Sequence, residues 1–126
     1  MTLERIKTDN TPLPSGPYSQ AIVSDGIAFI SGQIPIDAMS GSIPADPRDQ
    51  IRLAIHNLLS ISCACGVSKE NILKINVYLT DEEDLPILNE IYSEMLGPEY
   101  PTRTCVFVKG LPKNARIMID CVGRTG

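Results

Sequence analysis

The sequence predicts an α+β domain in which two helices cover one face of a mostly antiparallel sheet. Three patterns predict it. Short apolar runs bracket the dipeptide Asp25-Gly26, two stretches carry apolar residues at helical spacing, and two stretches, residues 71–80 and 115–122, alternate with period two. A helix-period pattern and a strand-period pattern in one chain of 126 residues fit one domain with a modest core. Prolines and glycines punctuate the chain without pooling in a linker, so residues 1–126 read as a single unit.

A short strand is expected near Leu3 to Lys7. Residues 11–18, Thr-Pro-Leu-Pro-Ser-Gly-Pro-Tyr, form a loop, because proline removes backbone donors and fixes φ. Ala21-Ile22-Val23 and Ile27-Ala28-Phe29-Ile30 then make a hairpin about Ser24-Asp25-Gly26. Ser31-Gly32-Gln33 ends it, and a turn region spans Asp37 to Pro44. Asp46-Pro47 supplies a helix N-cap followed by proline at the first helical position. Ile51, Ala54, Ile55, Leu58, Leu59 and Ser62-Cys63 mark the inward stripe, and Gly66 closes the helix.

Residues 71–80 alternate, with Leu73, Ile75, Val77 and Leu79 inward and Lys74, Asn76 and Tyr78 outward. A second helix starts near Asp84, buries Leu85, Leu88, Ile91, Tyr92 and Met95, and stops at Gly97-Pro98. Strands at about 103–108 and 115–122 complete the sheet. Two helices cannot cover both of its faces. The other face, on which Tyr78, Cys105, Phe107 and Met118 are expected, is a surface for self-association.

Composition excludes several functions. A net charge of −4 with scattered cations, 5% aromatics and no Trp is a poor basis for binding a nucleic-acid backbone or stacking bases. No apolar run approaches the roughly 20 residues of a membrane helix, and Met1-Thr2-Leu3-Glu4-Arg5 lacks the apolar core of a secretory signal. A cytoplasmic location is the resulting expectation. Cys63, Cys65, Cys105 and Cys121 match no zinc spacing and read as buried or half-buried free thiols, so no metal is expected.

Arg103 is the strongest candidate for chemistry. Set among Val106, Phe107 and other apolar positions, its guanidinium needs an anion, either a ligand carboxylate held by both prongs or a structural partner among the 15 acidic residues. Asp120 alternates with Met118 on one strand face, either solvated or held where it can move a proton. Ser31-Gly32 offers a hydroxyl and backbone N–H groups, or is only a strand exit. Tyr18 sits in a constrained loop, and Asn89 lies one position beyond the core residue Leu88. The single histidine, His56, falls on the polar side of the first helix, which leaves little material for histidine-based nucleophile systems.

These residues fall into one pattern. Gly16-Pro17-Tyr18-Ser19-Gln20, Ser31-Gly32-Gln33-Ile34-Pro35, Asn71-Ile72-Leu73-Lys74, Asn89-Glu90-Ile91-Tyr92, Pro101-Thr102-Arg103-Thr104-Cys105-Val106 and Leu111-Pro112 are collinear with the signatures of the RidA (YjgF) family. The chain resembles that family along nearly its whole length. The resemblance implies a chorismate-mutase-like subunit, a homotrimer, and clefts between chains that hydrolyse 2-imino acids or their enamines to 2-keto acids and ammonia. It implies no cofactor and no metal. By position, Arg103 would clamp the substrate carboxylate and Tyr18 would close the cleft. Ser31, Gly32 and Asn89 would line it, and Cys105 would offer backbone groups.

The chain departs from the pattern at one place. The family's deaminases usually carry a glutamate fifteen residues after the arginine, where this sequence has Met118, and a thioether cannot exchange a proton with water. Asp120 keeps the next acidic position, ~7 Å along the same face. The resemblance therefore implies either a working deaminase that uses Asp120 and backbone groups, or a small-carboxylate binder without deamination. Endoribonuclease activity has also been attached to the family, and the net charge of −4 and the sparse aromatics argue against it here.

Overall fold

The computed structural model describes residues 2–126. Six strands, β1 (Leu3–Ile6), β2 (Ala21–Ser24), β3 (Ile27–Gln33), β4 (Ile72–Leu79), β5 (Thr102–Phe107) and β6 (Ile117–Arg124), form one sheet in the order β1-β2-β3-β6-β4-β5. Every neighbouring pair is antiparallel except β4 with β5. Helix α1 (Pro47–Ala64) links β3 to β4, and α2 (Leu85–Leu96) links β4 to β5. Both links are crossovers between strands of like direction, as parallel strands require. The expected α+β architecture, with two helices on one face, is the observed one.

Local chemistry accounts for the elements. Asp25 (φ 52) and Gly26 (φ 78) take the two left-handed positions of the β2–β3 turn, where Gly pays no steric penalty and Asp little. The Asp46 carboxylate accepts a hydrogen bond from the Arg48 N–H at the start of α1, with Pro47 in the first turn. At its far end Gly66 (φ 79) donates to the Cys63 carbonyl. Ile51, Ile55, Leu58 and Ile61 of α1 and Leu88 and Ile91 of α2 are fully buried against Ile75, Val77 and Leu79 of β4 and Ile117 and Ile119 of β6. Among the described residues no helix is long and apolar enough to cross a membrane.

Four expectations need correction. Leu73 is exposed, because β4 bulges between Ile72 and Lys74 and the extra residue loses its place in the alternation. Cys63 is exposed, since it lies two residues before the buried Cys65 at the end of α1 and therefore points away from the core. Cys105 and Phe107 stand in register with Val77 and Leu79, so they project on the helix-covered side and not on the open face. Arg103, in register with Ile75, projects on that side too, exposed on the edge strand rather than set among Val106 and Phe107. Tyr78 and Met118 do lie on the open face, as cross-strand partners.

Polar residues fix the loops that carry the site. The Gln20 side chain accepts from the Thr8 N–H at 2.7 Å and donates to the Pro12 carbonyl at 3.0 Å, pinning the Pro-rich loop. The Asn57 amide donates to the Ile34 and Ile36 carbonyls at 3.3 and 3.0 Å. Arg116, immediately before β6, grips Asp84 at the start of α2 through two nitrogens at 2.8 and 2.9 Å. Asp84 is 2% exposed, so losing it strands a charge. Arg116 keeps solvent access, which puts Asp84→Ala at about 2 kcal/mol of lost stability, below the ~3–5 kcal/mol of a fully buried pair. A urea midpoint unchanged in Asp84→Ala would contradict this.

Candidate functional site

The candidate residues fall into two groups on opposite faces. On the helix-covered side, at the β5 edge, Arg103 lies with its guanidinium carbon 4.9 Å from the centre of the Tyr92 ring. Tyr92 in turn stacks on Tyr100, ring centres 6.1 Å apart. A cation on an aromatic face is held by the ring quadrupole, which uses none of its N–H donors. Asn89, Ser93, Tyr100 and Pro101 complete a cavity of about 290 Å³ around it. The ion pairs among the described residues engage Arg48, Arg52 and Arg116 and leave Arg103 without a carboxylate.

Cys105 lies two residues along the same strand, half-buried, its thiol pushed up by burial and held back by the Arg103 charge. Cys65 and Cys121 lie deeper, and burial raises them to about 11 and about 12. Neither supplies a thiolate near neutral pH. No group of three or more His, Cys, Asp or Glu among the described residues is placed to hold a metal ion.

On the open face, Tyr18, Ser31, Gly32 and Met118 line a cavity of about 350 Å³ with Ser15, Ile34 and Pro112. Tyr18 and Ser31 also border an adjoining cavity of about 490 Å³ that includes Asp120 and Phe29. Ser31-Gly32 is a bulge rather than the end of a strand, because pairing with β6 shifts between Ile30 and Gln33. Ser31 Oγ donates to the Ser19 carbonyl at 2.6 Å, which leaves its lone pairs free to accept. Gly32 is in close contact with Met118: a Cβ there would meet Met118 Sδ at 2.6 Å and Cγ at 2.9 Å, so that side chain would have to shift.

The Asp120 carboxylate stands beside them in a network from β4. Asn76 Nδ2 donates to Oδ1 at 2.9 Å and Tyr78 Oη to Oδ2 at 3.0 Å. Burial, and then the Asp120 carboxylate, raise the Tyr78 hydroxyl above its ordinary range. Sequence reasoning missed Tyr78, Asn76 and the Tyr92 platform. The outward alternation of Asn76 and Tyr78, together with that of Asp120 on another strand, was the available signal, whereas Tyr92 looked like any core aromatic.

Within one chain the groups do not meet. β5 and β6 are separated by β4, so their backbones lie ~10 Å apart, with Arg103 and Met118 on opposite sides of the sheet. The Arg103 cavity and the Tyr18 cavities share no lining residue.

Comparison with known proteins gives a consistent picture. The family model described as Endoribonuclease L-PSP matches residues 8–124. A RutC family protein of Pyrococcus horikoshii is 43% identical over 120 residues, covering 94% of this chain and 95% of that protein. TdcF of Escherichia coli K12, whose name proposes a reactive intermediate deaminase, is 39% identical over 120 residues, covering 93% of each. Among solved structures, E. coli TdcF with bound serine superposes with a TM-score of 0.93 at 37% identity, covering 98% of this chain and 99% of that one. RidA from the Antarctic bacterium Psychrobacter sp. gives 0.93 at 33% identity, covering 96% and 98%.

The Tyr92 hydroxyl is buried with no hydrogen-bond partner among the described residues. An unmet buried hydroxyl costs about 1–3 kcal/mol. Tyr92→Phe keeps the ring beneath Arg103 and is expected to raise stability by about 1 kcal/mol in chemical denaturation. Lower stability in that variant would show that the hydroxyl has a partner.

Proposed function

The chain belongs to the RidA (YjgF) family, and on that premise we propose that it hydrolyses 2-imino acids, such as 2-iminobutanoate and 2-iminopropanoate, to 2-keto acids and ammonia. The observation that carries this reading is Arg103, an exposed guanidinium mounted on Tyr92 beside Asn89 and left without a carboxylate among the described residues. Its fork matches the carboxylate that every 2-imino acid carries. The deaminase name of TdcF and the serine bound in its structure, a small amino acid with the same carboxylate, point the same way.

The cleft is composed across a subunit boundary. One copy contributes Arg103, Asn89 and the backbone at Cys105, and a neighbour contributes Tyr18, Ser31, Gly32 and the Met118–Asp120 strand. The separation of the two groups within one chain supports this, as do the apolar side chains of the open face, with Phe29 52% exposed. The assembly is a homotrimer. With the carboxylate clamped, water attacks C2 and the C=N electrons pass to nitrogen. Collapse of the carbinolamine then releases ammonia and leaves the C2 carbonyl. Positioning and one proton acceptor meet the needs of this chemistry, without a cofactor.

A second reading, binding of small carboxylates without turnover, is favoured by one observation: Met118 fills the position of the usual glutamate and packs on Gly32. A coupled assay on freshly generated 2-iminobutanoate separates the two. Wild type is expected to exceed the buffer rate, with kcat/KM lowered ~100-fold in Arg103→Ala, the loss of one strong charge-assisted contact. Met118→Glu is expected to raise the rate about tenfold or more. Wild type that matches the blank while binding 2-ketobutanoate would establish the second reading. Light scattering is expected to give a mass three times 13.7 kDa.

A further inference from the structure

Met118 leaves the water without a proton acceptor at the usual place, and the open face shows one built beside it. Asn76 is the direct cross-strand partner of Asp120, and Tyr78 is the direct partner of Met118. Both β4 side chains turn to Asp120, one on each carboxylate oxygen, at 2.9 and 3.0 Å. Because both donors come from the β4 side, the carboxylate is fixed in orientation beside the Ser31-Gly32 bulge of β3. Its other flank borders the cavity that Tyr18 and Ser31 line. Each oxygen accepts one hydrogen bond and retains a lone pair. The raised Tyr78 hydroxyl stays a phenol and a donor near neutral pH.

We infer that Tyr78 and Asn76 are positioning residues that hold the Asp120 carboxylate as the proton acceptor for the attacking water. This rests on the deaminase reading above and adds to it the device that replaces the glutamate. Asp120 takes one proton as the water oxygen bonds to C2 and the C=N electrons move to nitrogen. It returns that proton to the nitrogen to complete the neutral carbinolamine, then takes the hydroxyl proton as the C2 carbonyl forms and passes it to the nitrogen as the C–N bond breaks and ammonia departs. The sum is imino acid plus water giving keto acid plus ammonia, with Asp120 regenerated. Without both donors the carboxylate has free rotamers, and its oxygen leaves the direction of the cleft.

Tyr78→Phe deletes one oxygen and keeps the ring, so it tests position rather than packing. Expected on 2-iminobutanoate is a fall in kcat of about tenfold with KM within about twofold of wild type, and with oligomer mass and melting temperature retained. Asp120→Asn is expected to cost ~100-fold in kcat. Adding Tyr78→Phe to it should then cost nothing more, since the two act as a unit. Unchanged kcat in Tyr78→Phe with active wild type overturns this inference and leaves the deaminase reading standing. Losses that multiply in the double variant, or a changed oligomer mass with the rate per assembled site retained, overturn it too. An inactive wild type overturns both.

Discussion

Everything about the site depends on one constraint, that two helices cover one face of a six-stranded sheet and no more. An 18-residue and a 12-residue helix, about 27 and 18 Å long and ~10 Å wide, span roughly the ~24 Å width of six strands. Outside the bulges at Leu73 and Ser31-Gly32, period-two alternation then sorts the strand residues to one side or the other. It sends Ile75, Val77, Ile117 and Ile119 into the core, and Tyr78, Met118 and Asp120 to the open face. On the edge strand the same alternation carries Arg103 to the helix side, where α2 supplies its aromatic platform. The Arg103 guanidinium and the Tyr18–Met118–Asp120 face are thus built from one sheet and yet turned away from each other. In the proposed function a second copy joins them.

The contact between Gly32 and Met118 shows how the chain accommodates its departure from the family pattern. Met is flexible and polarisable, suited to filling irregular space, and here its sulfur occupies the volume a Cβ at Gly32 would need. The bulge at Ser31-Gly32 and the thioether are therefore a fitted pair. A carboxylate at 118 would replace that apolar contact with a charge beside backbone, so the change in chemistry there is also a change in packing. The Asn76–Asp120–Tyr78 network answers it one residue pair away, on the same face and within the same sheet.

The fold was legible in the sequence wherever a local signal has a physical cause. Asp46-Pro47 and Gly66 bound α1 because capping and left-handed backbone are properties of those residues. Asp25-Gly26 marked its turn for the same reason. Leu73 was misjudged because a one-residue bulge depends on strand pairing, which leaves no trace in composition. Cys105 and Phe107 were misjudged because Thr-Arg-Thr-Cys-Val-Phe has no clear alternation, and only the register with β4 assigns its faces. At the site, Arg103 stood out through its place in the family pattern, since the apolar surroundings expected for it are absent and it lies exposed on the edge strand. Tyr92, Tyr78 and Arg116 did not, because each is ordinary by type and acquires its role from a neighbour distant in sequence.

Charge completes the argument for a small anionic ligand over a polymer. Of the described side chains lining the three cavities around the candidate residues, Arg103 is the one cation. Arg48, Arg52 and Arg116 are engaged with Glu90, Glu94, Asp81 and Asp84. An RNA backbone presents a phosphate at every nucleotide and is held by many cations at once, with an affinity that grows with their number. One guanidinium on an aromatic platform, in a chain of net charge −4, neutralises one carboxylate. In the proposed cleft the fork of Arg103, set in a cavity of about 290 Å³, suits a molecule the size of an amino acid.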